Sequence, residues 1–116
     1  MEPMNFSILN EFKELMGDDG EAEVRELINL YLEDSPCQLA DIKTAMAAGD
    51  WEVLGRAAHS FKSSCGNIGA VVLQELCLEL ERRAAAQNLD DGEGLVSQVD
   101  AAFVDVKEAL NAYLNG

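Results

Sequence analysis

The stretch Ala47-Ala48-Gly49-Asp50-Trp51 decides the fold. Glycine leaves a helix easily through a left-handed cap, and aspartate is among the best residues to start one. Gly49 therefore closes one helix and Asp50 opens the next, with almost no chain between them. Helices joined this tightly lie antiparallel and side by side. Upstream, Glu21–Ala48 carries a heptad-like stripe in which Ile28, Ser35 and Ile42 interleave with Leu32, Leu39 and Met46. Pro36 lies inside this helix and is expected to kink or split it, because it removes a donor and crowds the preceding turn. Further upstream, Asn5–Met16 reads as a short helix with Ile8, Phe12 and Leu15 on one face. It stops at Gly17-Asp18-Asp19-Gly20, a breaker cluster in which Asp18 or Asp19 can cap the helix that follows.

Downstream, three more helices are expected. Trp51–Cys65 ends around Gly66 to Gly69, and Ala70–Gln87 buries Leu73, Leu76, Cys77, Leu80 and Ala84. After a loop over Asn88-Leu89-Asp90-Asp91-Gly92, Glu93–Leu114 buries Val96, Val99, Phe103, Val106 and Leu110. With every interior connection short, the chain reads as a single domain, 1–116. The expected architecture is an all-α, antiparallel up-down-up-down four-helix bundle with an additional short N-terminal helix packed as a lid.

Composition narrows the function. The 116 residues hold 22 acidic and 8 basic side chains, a formal charge of −14, which repels nucleic-acid phosphates and anionic lipid. No stretch approaches the ~20 apolar residues of a membrane span, and the N-terminus lacks a signal-peptide pattern, so a soluble cytoplasmic protein is expected. The cysteines at 37, 65 and 77 follow no metal-ligand spacing and read as reduced packing residues. The expected partner is another protein. The strong negative charge also favours a monomer.

The helix over Trp51–Cys65 carries the chemistry. At about 100° per residue, Leu54, Ala57, Ala58, Phe61 and Cys65 share one face and point to the core. His59, the only histidine, falls on the opposite side, with Gly55, Arg56, Lys62 and Ser63 within one turn and Gly66 two turns along. Arg56 and Lys62 should make a positive spot in a negative field. Gly55, Ser63 and Gly66 keep the surface low enough for a partner to approach the ring. Metal binding would need further ligands at suitable spacing. A serine–histidine nucleophile pair would need a group to orient the ring and a cleft, neither of which is evident. Accepting a phosphoryl group requires a neutral ring nitrogen, room for the phosphate and a cation to balance its charge, and His59 with Lys62 meets these demands. Lys62 should also favour the neutral imidazole through like-charge repulsion. On the following helix, Leu78 lies off the buried stripe as a candidate for an apolar docking patch. Glu81 flanks that stripe and is a candidate acceptor for the imidazole.

The run Ala57-Ala58-His59-Ser60-Phe61-Lys62-Ser63-Ser64-Cys65-Gly66-Asn67-Ile68-Gly69-Ala70 resembles the signature of the histidine-containing phosphotransfer (HPt) family. That pattern is a histidine, an apolar residue two on, a lysine three on, a small residue four on and a glycine ten on. His59, Phe61, Lys62, Ser63 and Gly69 occupy these places. Phe12–Asp18, Tyr31–Pro36 and Leu76–Glu81 are similar to family helices as well. Ser63 stands where glycine is usual, and Phe61 where leucine is commoner. The resemblance implies that His59, through Nε2, accepts a phosphoryl group from a receiver-domain aspartyl phosphate and passes it to a response regulator. It further implies that Lys62 neutralises the phosphate and that Arg56, Ser63, Gly66, Gly55, Leu78 and Gly69 contribute to binding. The implied partners are receiver domains and a hybrid sensor histidine kinase. No cofactor is implied for this chain; Mg²⁺ is expected in the receiver, and the chain is a carrier rather than an enzyme. A non-phosphorylated adaptor of the same fold is the alternative.

Overall fold

A computed structural model describes residues 2–88 and 90–116. It contains five α-helices: α1 (Ser7–Leu15), α2 (Gly20–Ala48), α3 (Trp51–Ile68), α4 (Val71–Ala86) and α5 (Gly92–Asn115), with a 3₁₀ turn at Gly17–Asp19. Gly49 takes φ 66°, and the Asp50 carboxylate accepts from the Val53 N–H at 3.2 Å, so the two residues end α2 and start α3 as their chemistry dictates. Helices α2 to α5 pack against their sequence neighbours, and α5 returns to α2. Four helices thus enclose one core, and no strand occurs among the described residues.

The core is centred on three rings from three helices. Tyr31 of α2 stacks near Phe61 of α3 at 6.4 Å, while Phe103 of α5 meets Phe61 and Tyr31 edge-on at 6.1 and 6.5 Å. Such arrangements add to ordinary apolar burial because ring edges and faces carry opposite partial charge. Cys65 and Cys77 are buried free thiols in this core, whereas Cys37 is exposed. The Tyr31 hydroxyl finds a partner in Cys65 Sγ at 3.3 Å.

Several elements depart from the sequence expectation. Helix α2 runs unbroken through Pro36. Ile28, Tyr31, Ser35, Leu39 and Ile42 are all buried along it, and the buried Ser35 hydroxyl bonds the Tyr31 carbonyl oxygen. Burial of that whole stripe outweighs the local cost of a proline, about 3 kcal/mol. Helix α3 continues three residues beyond Cys65, because Ile68 adds another buried side chain before Gly69 ends the helix at φ 86°. In α1 the buried residue is Leu9; Ile8 faces outward and Leu15 is 84% exposed. Asp19 precedes α2 without a side-chain capping bond. Of the expected loop over Asn88–Gly92, Leu89 lies outside the described residues, while Gly92 already belongs to α5.

The N-terminal segment closes one end of the bundle. Met4 is buried, Phe6 stacks on Tyr113 at 5.6 Å, and the Asn5 N–H donates to the Gly69 carbonyl oxygen at 2.7 Å. Among the described residues, no helix is long and apolar enough to cross a membrane.

Candidate functional site

Leu54, Ala58, Phe61, Cys65 and Ile68 turn inward on α3, with Ala57 at the margin of the core. That registration forces the residues between them outward. His59 is 64% exposed on the opposite side of the helix. Its Nδ1 lies 2.8 Å from Oε2 of Glu81, which reaches across from α4. The same carboxylate takes the Lys62 ammonium, with Nζ 2.5 Å from Oε1 and 3.3 Å from Oε2. Glu81 is therefore a shared acceptor between the ring and the cation. The Lys62 ammonium foremost, with the His59 hydrogen bond assisting, holds the Glu81 carboxyl below the usual carboxylate range against the opposing effect of partial burial. Since Nδ1 is engaged, the second ring nitrogen, Nε2, is the one left for chemistry. A carboxylate can only accept, so the neutral ring opposite it carries its proton on Nδ1 and its lone pair on Nε2.

The positive spot expected around His59 is thus largely paired. Lys62 answers to Glu81, and Arg56, one turn before His59, lies 3.9 Å from Glu52 with both side chains mostly exposed. A group that orients the ring, not evident in the sequence beyond the candidate Glu81, is present as well. Glu81, which sequence offered only as a candidate acceptor, is the central residue of the cluster. Its legible signal is its place beside the Cys77–Leu80–Ala84 buried stripe of α4, which aims a long side chain along the α3–α4 seam.

The remaining sequence-selected residues divide. Ser63 is exposed, and its Oγ donates to the His59 carbonyl oxygen at 3.1 Å, so its one proton is already committed within the helix. Leu78 is half-buried on α4, one turn before Glu81. Gly55 faces the seam, where a Cβ would sit 3.6 Å from the Ala84 methyl group, an ordinary contact. Gly66 lies inside the last turns of α3 rather than ending the helix, and a Cβ there would come 2.7 Å from Nε2 of Gln74. Its small size makes room for that α4 side chain. Gly69 is not a surface contact. It is buried about 15 Å along the axis from His59, under the N-terminal segment, where a Cβ would lie 2.3 Å from the Asn5 carbonyl oxygen. Sequence reading missed Gln38 of α2, whose Nε2 donates to Ser64 Oγ at 3.1 Å and Ser60 Oγ at 3.4 Å, tying α2 to α3. Nothing in its spacing marks it. Among the described residues, no group of three or more histidine, cysteine, aspartate or glutamate side chains is placed to hold a metal ion.

Residues 26–114 match the family model of the Hpt domain. The chain belongs to the Hpt domain family. Over 90 residues, 78% of its length, the Hpt chain is 33% identical to Sensor protein TorS of Escherichia coli (strain K12), of which it spans 10%. It is 25% identical over 108 residues to Histidine-containing phosphotransfer protein 2 of Arabidopsis thaliana, covering 90% of this chain and 69% of that one. Its fold superposes with a TM-score of 0.86 on the crystal structure of histidine-containing phosphotransfer protein B (HptB) from Pseudomonas aeruginosa PAO1. That pair is 30% identical and covers 96% of this chain and 93% of the other.

Proposed function

We propose that this Hpt chain accepts a phosphoryl group on Nε2 of His59 from a receiver-domain aspartyl phosphate and passes it to the aspartate of a second receiver. Family membership makes the chain a phosphorelay carrier; the residue, the order of transfer and the partners are the proposal. One observation carries it: a solvent-facing imidazole with Nδ1 tied to a carboxylate and Nε2 left as its available nucleophile. In transfer, the Nε2 lone pair forms the N–P bond while the P–O bond to the aspartate breaks and the carboxylate departs. The Nδ1 proton stays on the ring, where Glu81 balances the positive charge that develops. Lys62 stands one turn away to balance the phosphoryl oxygens. Onward transfer reverses these roles.

The donor is a hybrid sensor histidine kinase, and the acceptors are response-regulator receiver domains. Mg²⁺ and most of the catalytic groups belong to the receiver, so this chain acts as a carrier without turnover of its own, cytoplasmic and monomeric as its charge and composition suggest. Arg56 and Leu78 flank the ring as docking contacts. Gly55 leaves the α3 surface low for the approaching partner. An adaptor that is never phosphorylated would have no use for a histidine held in one tautomer beside a cation.

Incubation with a phosphorylated receiver domain tests the reading. Wild type should gain a label that survives alkali and is lost in acid, as an N–P bond is. His59→Gln should gain none while retaining its helical circular dichroism. A variant labelled as well as wild type ends the proposal.

A further inference from the structure

Glu81 accepts from both His59 and Lys62, although a phosphoryl acceptor needs only the ring and a cation. A carboxylate beside that cation competes with the phosphate for it, so the shared arrangement calls for another reason. The bond that must later break supplies one. When an N–P bond at Nε2 is cleaved, the electron pair returns to the ring. If Nδ1 carries a proton, the ring departs as neutral imidazole; if not, it departs as an imidazolide anion, a far poorer leaving group.

We propose that Glu81 is a positioning residue that governs how readily the N–P bond at His59 breaks, by keeping Nδ1 protonated after Nε2 has been phosphorylated. This rests on His59 being the phosphoryl acceptor. An anion 2.8 Å from Nδ1 favours the protonated phosphoimidazole, while Lys62 on the same carboxylate withdraws part of that effect. The balance between the two sets the lifetime of the phosphorylated state. The other groups near Glu81 do not alter the sign. Cys77 lies one turn earlier on α4 with a buried thiol, and the neighbouring Cys65 thiol foremost, with burial assisting, raises that thiol's pKa. Glu52, across the groove that Gly55 and Ala84 also line, is paired with Arg56. In hydrolysis, a water oxygen bonds to phosphorus, the N–P electrons go to Nε2, and the water protons pass to solvent and phosphate, leaving His59 as the neutral Nδ1–H ring.

Direct labelling with a phosphoramidate salt bypasses any receiver. The full chain is labelled at His59, and loss of the phosphohistidine signal is followed by phosphorus NMR from pH 5 to 9. Relative to wild type, Glu81→Gln should move the midpoint of the acid-lability profile down by about one pH unit. Above both midpoints its label should then persist about tenfold longer. Lys62→Gln should move the midpoint the other way. Glu81→Asp, which keeps the charge, should return most of the wild-type profile, whereas a side chain that only packed would give no such rescue. Coincident profiles for wild type and Glu81→Gln, with both proteins labelled, overturn this inference and leave His59 as the acceptor. A wild-type chain that takes no label at His59 removes both readings together.

Discussion

Along its inner face α3 presents Leu54, Ala58, Phe61, Cys65 and Ile68, all buried, while Arg56, His59 and Ser63 on the opposite face are exposed. The inner face depends on volume: Phe61 touches rings from two other helices, and the loss of any one contact is shared among many neighbours. The outer face depends on single partners. One carboxylate, Glu81, holds both the ring and the cation, and one hydroxyl, Ser63, answers to one carbonyl. A helix can therefore carry a rigid scaffold and an adjustable site along the same stretch of chain, because its period separates side chains three and four apart from those between them. Changes inside should appear as stability, and changes outside as chemistry.

Three substitutions test that division. Phe61→Ala should have the largest effect, a loss of about 3–5 kcal/mol in urea unfolding, since it removes the ring on which Tyr31 and Phe103 converge. A loss below about 1 kcal/mol would mean that the core collapses around the gap and that the inner face is less specific than its packing suggests. Next, Gly69→Ala should cost about 1–3 kcal/mol, because it combines φ 86° with a Cβ 2.3 Å from the Asn5 carbonyl oxygen. Unchanged stability would show that the N-terminal segment gives way freely and does not seal that end of the bundle. Smallest is Gly55→Ala, which should stabilise the protein by about 0.5–1 kcal/mol in thermal unfolding, because a methyl group there makes only ordinary contact with Ala84. A lower Tm would place Gly55 with the inner face, as a residue the α3–α4 seam itself needs.

How far the molecule was legible depends on how many residues voted for each element. The stripes of α2, α4 and α5 span 29, 16 and 24 residues, and their periodicity survives individual exceptions. Over the nine residues of α1, Ile8 and Leu9 competed for one inward position, and burial went to Leu9. Pro36 misled for a related reason: local cost was read without the buried stripe that opposes it. At the site, His59 was legible because its outward direction follows from the residues that must face inward. Gln38 was not, since its partners Ser60 and Ser64 lie on another helix and nothing in its own neighbourhood points to them.

Sequence alone determined the helical class, the turn at Gly49-Asp50, the two faces of α3 and the single histidine on the outer one, because each is a matter of local propensity or helical period. Long-range packing alone brings Glu81 between His59 and Lys62, lets Gln74 fill the space left by Gly66, and sets Gly69 under Asn5. These are meetings between elements distant along the chain. Their geometry depends on how neighbouring helices are rotated and offset, and packing sets that only when all the faces are buried together.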